Sequence, residues 1–251
     1  MARTLCSLLL MGLLAGCVTV TEEKNNAKFD TIQIAESRIA LGLAYLDAGQ
    51  WERARQNLEL AVQHAPTYYR ALISFAHYLQ EVGEYDQAEE QFKKALRTSP
   101  RNGDVRNNYG VFLCRQERYD EAQAAFAKAI EQPYYYKMSG SYENAAICAL
   151  KSGDAVLAKE WFEKAIDHEP NRPLSTLQLA KLEVEDDELN EARLRLFQFH
   201  KRYGYRSNSL LTMISLEAKA ERPHEVERYA NVLAKQFPKS KEYRLYLANE
   251  Y

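Results

Sequence analysis

The chain has few of the residues from which chemical sites are built. Only five histidines occur in 251 residues: His64, His77, His168, His200 and His224. None stands at metal-ligand spacing from another. No serine occupies a nucleophile elbow and no glycine-rich loop follows a strand pattern, so the common hydrolase and phosphate-cradling signatures are absent. Asp186-Asp187-Glu188 is a possible cation site, but an acidic run in a turn is far more often a solvated loop. Enzymatic activity is therefore not expected, and no metal or dissociable cofactor is implied. Basic charge is not in surplus either, since 33 Lys and Arg face 35 Asp and Glu for a net charge of −2. A nucleic-acid partner would want a basic face. Long apolar runs are missing too: the longest, Leu5 to Leu14, falls far short of the ~20 residues of a membrane-spanning helix.

What the chain does have is a period. Pro66 and Pro100 lie 34 residues apart, and small residues recur in phase with them. Gly42, Ala76, Gly110 and Ala146 hold one small position. Ala54, Ala88, Ala122, Ala158 and Ala192 hold a second, and Ala61, Ala95, Ala129 and Ala165 a third. Four residues after the second alanine stand Leu58, Phe92, Phe126, Phe162 and Leu196. Antiparallel helices approach to ~8 Å only where side chains are small, with larger groups filling the space beside them. A 34-residue period of this kind resembles the tetratricopeptide repeat, a helix–turn–helix unit. The expected fold is all-α: a right-handed superhelical solenoid of about six such repeats with a C-terminal capping helix.

Repeats are expected near 35–68, 69–102, 103–138, 139–172, 173–206 and 207–239. The third and fourth start 36 residues apart, and the two extra residues fall in a bulged loop around Gln132-Pro133-Tyr134-Tyr135-Tyr136. The fifth keeps Leu179, Ala180 and Ala192 but has Asp187 where the turn glycine is usual. In the sixth only Leu210, Met213, Ile214, Tyr229, Leu233 and Pro238 still fit a helical pair. A closing helix is expected over 240–251, with Ser240 as N-cap and Tyr243, Tyr246 and Leu247 on one face. Cys114 and Cys148 fall on the first helices of repeats three and four. A disulfide requires Cα atoms within roughly 7 Å, and corresponding positions of neighbouring repeats are usually farther apart. Two buried thiols are expected.

The N-terminus carries a second signal. Residues 1–16 read as a signal peptide, with Arg3, the apolar run and then small residues. Leu14-Ala15-Gly16-Cys17 is similar to the bacterial lipobox, in which the cysteine becomes the acylated first residue. The expected anchor is an N-acyl diglyceride, with palmitate-like chains, on Cys17. Several such chains, at roughly 0.8 kcal/mol per buried CH₂, hold durably. Val18 stands where inner-membrane lipoproteins often have Asp, so the outer membrane is the implied destination, facing the periplasm. Losing Arg3 leaves 32 basic against 35 acidic side chains in the mature chain, a charge of −3. Residues 18–30 are mostly polar without a helical period, and are expected to form a flexible tether of roughly 20 Å.

In this repeat class the first helix of each pair lines the concave face. Ile39, Leu43 and Leu46 in repeat one, Ile73 and His77 in repeat two, Asn107, Asn108 and Val111 in repeat three, and Ile147 in repeat four are the candidate groove residues. Apolar residues at Ile39 and Leu43 exclude the lysine–asparagine carboxylate clamp of chaperone-binding repeats. An apolar groove with polar edges suits an amphipathic helix or an extended apolar peptide.

Arg106-Asn107-Asn108-Tyr109-Gly110-Val111-Phe112-Leu113, followed by Arg118-Tyr119-Asp120-Glu121-Ala122, is similar to the third repeat of the type IV pilus biogenesis lipoproteins called PilF or PilW. Lipobox, tether, six repeats and closing helix extend the resemblance over nearly the whole chain. It implies a pilotin: an outer-membrane lipoprotein that binds subunits of the pilus secretin, PilQ, and promotes their localisation and oligomerisation, supporting pilus biogenesis and twitching motility. The alternative is a general periplasmic adaptor for outer-membrane protein assembly or peptidoglycan enzymes. The regular period of repeats one to three argues mildly against the barrel-assembly type.

Overall fold

The computed structural model describes residues 23–251, with side-chain surroundings from Asp30 onward. The signal segment and Cys17 lie outside the described residues. Thirteen helices and no strands are present among them, arranged as six hairpins and a short closing helix. The hairpins are α1 (Glu23–Asp47) with α2 (Trp51–His64), α3 (Tyr69–Glu81) with α4 (Tyr85–Thr98), and α5 (Gly103–Arg115) with α6 (Tyr119–Ile130). They continue as α7 (Met138–Ser152) with α8 (Ala155–His168), α9 (Pro173–Glu185) with α10 (Leu189–Tyr203), and α11 (Ser207–Lys219) with α12 (Pro223–Gln236). The closing helix is α13 (Lys241–Leu247), shorter than the expected 240–251, and the Ser240 hydroxyl accepts from the Tyr243 N–H at 3.1 Å as its N-cap. Of the face expected on α13, Tyr243 and Tyr246 stack with ring centroids 6.4 Å apart, while Leu247 is exposed.

Each second helix packs on its own first helix and on the first helix of the next hairpin. First helices also touch one another, α1 on α3, α3 on α5, α5 on α7 and α9 on α11, so they form an inner array. The alanines at the second and third small positions are fully buried, and Leu58, Phe126, Phe162 and Leu196 beside them are buried with them. Between the two helices of a hairpin, close approach is enforced at two glycines. A Cβ on Gly42 would lie 2.6 Å from Leu58, and one on Gly110 2.7 Å from Phe126. Each buried Leu or Phe in these positions contributes roughly 1.5–3 kcal/mol.

The turn inside every hairpin obeys one backbone rule. Gly49, Gly83, Glu117, Gly153, Asp187 and Glu221 occupy the same place, each with φ between 55° and 84°. In all six the next residue's N–H closes a 6→1 bond, from Gln50 to Tyr45 O through Arg222 to Glu217 O, at 2.8–3.0 Å. This is the Schellman ending, in which a left-handed residue caps the exposed carbonyls. Among these six turns Asp187 is thus one of three non-glycine residues held in the strained region, alongside Glu117 and Glu221.

Two expectations are corrected. Helix α1 reaches back to Glu23, so residues 23–30 are helical rather than a coil. Any tether is confined to the residues before Glu23, which lie outside the described region. Second, Cys114 and Cys148 form a disulfide with Cα atoms 5.8 Å apart. The reasoning from corresponding positions failed because these two do not correspond. Cys114 lies four residues after Gly110 and Cys148 two after Ala146, so each meets the other across facing sides of α5 and α7. The same offset recurs along the array, where Val184 shares a cluster with Leu216 and Leu46 one with Tyr78.

The tyrosine loop is not uniform. Tyr135 turns inward, its ring against Gly103 and its hydroxyl 3.0 Å from the Ser141 hydroxyl, while Tyr134 and Tyr136 stand out at 101% and 83% exposure. The two-residue insertion thus seats one tyrosine on the start of α5. Repeats five and six diverge because the position held by Leu79 and Leu113 becomes Glu183 and Glu217, both buried. Arg195 grips Glu183 with contacts of 2.6–2.9 Å, and Arg193 grips Glu217 at 2.7 and 3.1 Å. Such pairs are tolerated only when every charge is matched.

Two predictions follow from this backbone. Replacing Glu117 by glycine removes a left-handed strain of ~1–2 kcal/mol against a glycine entropy cost of ~0.5–1 kcal/mol. A net gain of roughly 0.5–1 kcal/mol should appear as a raised thermal midpoint, and a lowered midpoint would contradict the strain assignment. Removing the cross-link with Cys114→Ser and Cys148→Ser frees a loop closed at a separation of 34 residues. The loss should be roughly 2–4 kcal/mol in urea unfolding; an unchanged midpoint would mean that helix stacking alone holds the junction.

Candidate partner-binding groove

The inner array carries the candidate groove. Its ninth helical position runs Leu43, His77, Val111 and Ile147, and these side chains are half-buried or, at His77, exposed. Ile73 is also half-buried. Leu43, Ile73 and Val111 rest their flanks on the main core while keeping surface free, and Ile147 does so on the next cluster. Two candidates belong elsewhere: Ile39 and Leu46 are buried. Ile39 packs with Ala35, Ala61, Ala65 and Ala71, and Tyr68 closes against the same cluster. The Tyr68 hydroxyl donates to the Glu36 carboxylate and Arg70 pairs with Glu36 at 3.0 Å, tying the edge of the first repeat to the second. Burial and the Glu36 bond push the Tyr68 hydroxyl up to about 12.

Polar groove residues are already engaged across repeats. Asn107 Oδ1 accepts from Ser141 Oγ and from Asn144 Nδ2, both at 3.0 Å, whereas Asn108 is exposed and donates to its own helix at Asp104 O. Arg115 pairs with Glu81 at 2.5 Å, and His77 lies 3.7 Å from the same carboxylate. Partial desolvation lowers the His77 pKa against the pull of Glu81. What remains free on repeats one to four is therefore mainly apolar: Leu43, Ile73, Val111 and Ile147. Farther along, the ninth position becomes Lys181 and Ser215. There a cavity of about 460 Å³ opens between α9, α11 and the C-terminal segment, lined by Val184, Leu211, Leu245 and Tyr251 among others. None of the residues nominated from sequence lines it.

The Arg106–Ala122 motif has its own geometry. Tyr109 and Arg118 both reach across to Glu89 on α4, at 2.8 and 3.0 Å, and Arg118 adds two bonds to Glu121. Burial opposes the Glu89 charge, but hydrogen bonds from Tyr109, Arg118 and Lys93 override it and hold the carboxyl at about 2. The motif thus locks repeat two to repeat three. Glu89 is invisible to sequence reading because nothing but its partners distinguishes it from Glu90. The acidic turn at 186–188 is no cation site: Lys159 pairs with Asp186 and Glu188, and Lys219 with Asp187. Among the described residues no group of His, Cys, Asp and Glu could hold a metal ion, and no helix is long and apolar enough to cross a membrane.

Comparison with known proteins agrees with this architecture. The tetratricopeptide repeat family profile matches residues 73–136 and 113–175. The type IV pilus assembly protein PilF of Pseudomonas aeruginosa is 33% identical over 245 residues, covering 97% of this chain and 96% of that protein. The solved structure of P. aeruginosa PilF superposes with a TM-score of 0.73 at 32% identity, over 88% of this chain and 99% of its own. That of PilW, described as a widely conserved type IV pilus biogenesis factor, does so with a TM-score of 0.74 at 26% identity, over 86% and 99%. With near-complete coverage in both directions, the chain belongs to the PilF/PilW family of tetratricopeptide-repeat proteins of type IV pilus biogenesis.

Proposed function

We propose that this protein is a lipid-anchored pilotin of the outer membrane whose inner face holds a segment of the pilus secretin. The observation that carries the reading is the apolar stripe Leu43, Ile73, Val111 and Ile147, left half-exposed on the inner array. Around it the polar side chains are already paired, so an incoming segment meets apolar surface without having to strip many hydrogen bonds. An amphipathic helix or an extended strand with regularly spaced apolar groups suits such a stripe. Acyl chains on Cys17 would place the complex at the periplasmic leaflet of the outer membrane. Holding secretin subunits there raises their local concentration and shields their apolar segments until the ring assembles. Nothing in this role requires bond chemistry, in keeping with a scaffold that brings proteins together.

Two substitutions on neighbouring first helices test the surface. Leu43→Glu with Ile73→Glu sets two charges into the stripe, and secretin binding should fall at least a hundredfold while far-UV helicity stays unchanged. Unaltered affinity would remove the inner face from the mechanism. Purification of the anchored protein from solubilised outer membranes should recover the secretin in a manner lost with the double variant. Recovery of barrel-assembly or cell-wall proteins instead would favour the general adaptor. The anchor is tested separately: Cys17→Ala should release the protein from the outer membrane and reduce multimeric secretin there. Normal multimer levels in that strain would dispose of the anchor's role.

A further inference from the structure

The outer face of α10 departs from the rest of the molecule in charge and in apolar exposure. Leu194 and Phe197, three residues apart, are 60% and 47% exposed. They are the side chains that a solvated helix face would most readily give up. From Ala192 to Leu216 there is no acidic residue, while Arg193, Arg195, Lys201, Arg202 and Arg206 fall within it, in a chain whose overall charge is negative. Arg193 and Arg195 are neutralised by the buried Glu217 and Glu183. Lys201 and Arg202 have no carboxylate partner among the described residues, and Arg202 donates only to the Pro170 carbonyl, at 3.0 Å.

Beside this face lies a cleft of about 500 Å³ between α8, α9 and α10, floored by Ile166, Pro170, Phe199 and Tyr203 and rimmed by Arg195, Lys201 and Arg202. No carboxylate lines it. The Tyr203 hydroxyl is buried without a hydrogen-bond partner in the chain. Cations in a last helical turn also complement the helix dipole, but that accounts neither for two exposed apolar side chains nor for an orphan hydroxyl.

We infer that the outer face of α10 and its adjoining cleft dock on an anionic phospholipid surface. Leu194 and Phe197 enter the headgroup–acyl boundary, Lys201 and Arg202 meet the phosphates, and Tyr203 donates to a headgroup oxygen. Long cations flanking apolar residues on one helix are what an interfacial contact needs. Exposed apolar side chains beside unpaired cations suit a bilayer, with its phosphates over an acyl layer, better than an acidic peptide, which would leave Leu194 and Phe197 in water. The contact is independent of the inner-face reading: it would lay the outer side of repeat five on the membrane and turn the inner array away from it.

The test uses residues 23–251, whose hairpins supply one another's core, so that no acyl chain contributes. Co-sedimentation is measured at low salt with vesicles of phosphatidylglycerol and phosphatidylcholine, and with phosphatidylcholine alone. The protein should partition to the anionic vesicles and lose binding at high salt. Each cation near an anionic surface is worth about a fivefold change, so Lys201→Gln with Arg202→Gln should cut partitioning at least tenfold. Leu194→Ser with Phe197→Ser should do likewise. Both pairs are exposed, and thermal midpoints should not move. Absence of vesicle binding, equal binding to neutral vesicles, or indifference to the Leu194 and Phe197 changes would overturn the proposal. Capture on polyglutamate without vesicle binding would assign the face to an acidic protein instead.

Discussion

Within each hairpin two antiparallel backbones meet through alanine and glycine, and the rest of the structure depends on that close approach. At Gly42 and Gly110 even one methyl group would strike the Leu58 or Phe126 that fills the neighbouring space. Small residues bring the helices together and large ones then plug the remaining volume, so a hairpin becomes a flat two-helix plate. Such a plate buries only part of its apolar surface. Stacking on the next plate buries more, and the stack grows in one direction with its first helices inside. The groove, the outer face and the end helix are consequences of this packing rule.

Because the rule is local and repeated, the hairpins are legible in the sequence. First helices begin at Tyr69, Gly103, Pro173 and Ser207, where the period restarts. Contacts between repeats were harder to read. The disulfide illustrates the difficulty: counting in units of 34 places Cys114 and Cys148 in step, whereas the two-residue insertion puts them half a turn out of step and face to face. The Glu117 and Glu221 turns were missed for another reason. A glycine marks a left-handed turn visibly, but a glutamate there is forced by the 6→1 hydrogen bond and bears no mark in composition.

The candidate groove was legible only in part. Position nine yields a half-exposed stripe, but position five changes character along the chain, from buried Ile39 through half-buried Ile73 to Asn107 and Glu143 inside hydrogen-bond networks. A residue's place in the repeat says which helix face it occupies. Whether that face is open depends on side chains from the adjacent repeat, as where Ala71 of the second repeat packs into the cluster around Ile39. Exposure is a property of pairs of repeats, and a single repeat's pattern does not contain it.

The same dependence on pairs explains how the two ends of the stack diverge. In the N-terminal repeats the joints are apolar, reinforced by a disulfide and by the Glu89 network, and the inner face stays apolar. In repeats five and six Glu183 and Glu217 replace leucine, and each needs an arginine from α10: Arg195 within the same hairpin for Glu183, and Arg193 across the joint for Glu217. That requirement concentrates basic residues on one helix. Once those two carboxylates are matched, further arginines and lysines on α10 add nothing to the joint and remain for its outer surface. Charge recruited to satisfy a buried joint thus accompanies a surplus on the outside, leaving an apolar inner face at one end and a basic outer face at the other. A scaffold with two such surfaces can hold a protein segment on one while it rests on a second body with the other, without either contact competing for the same residues.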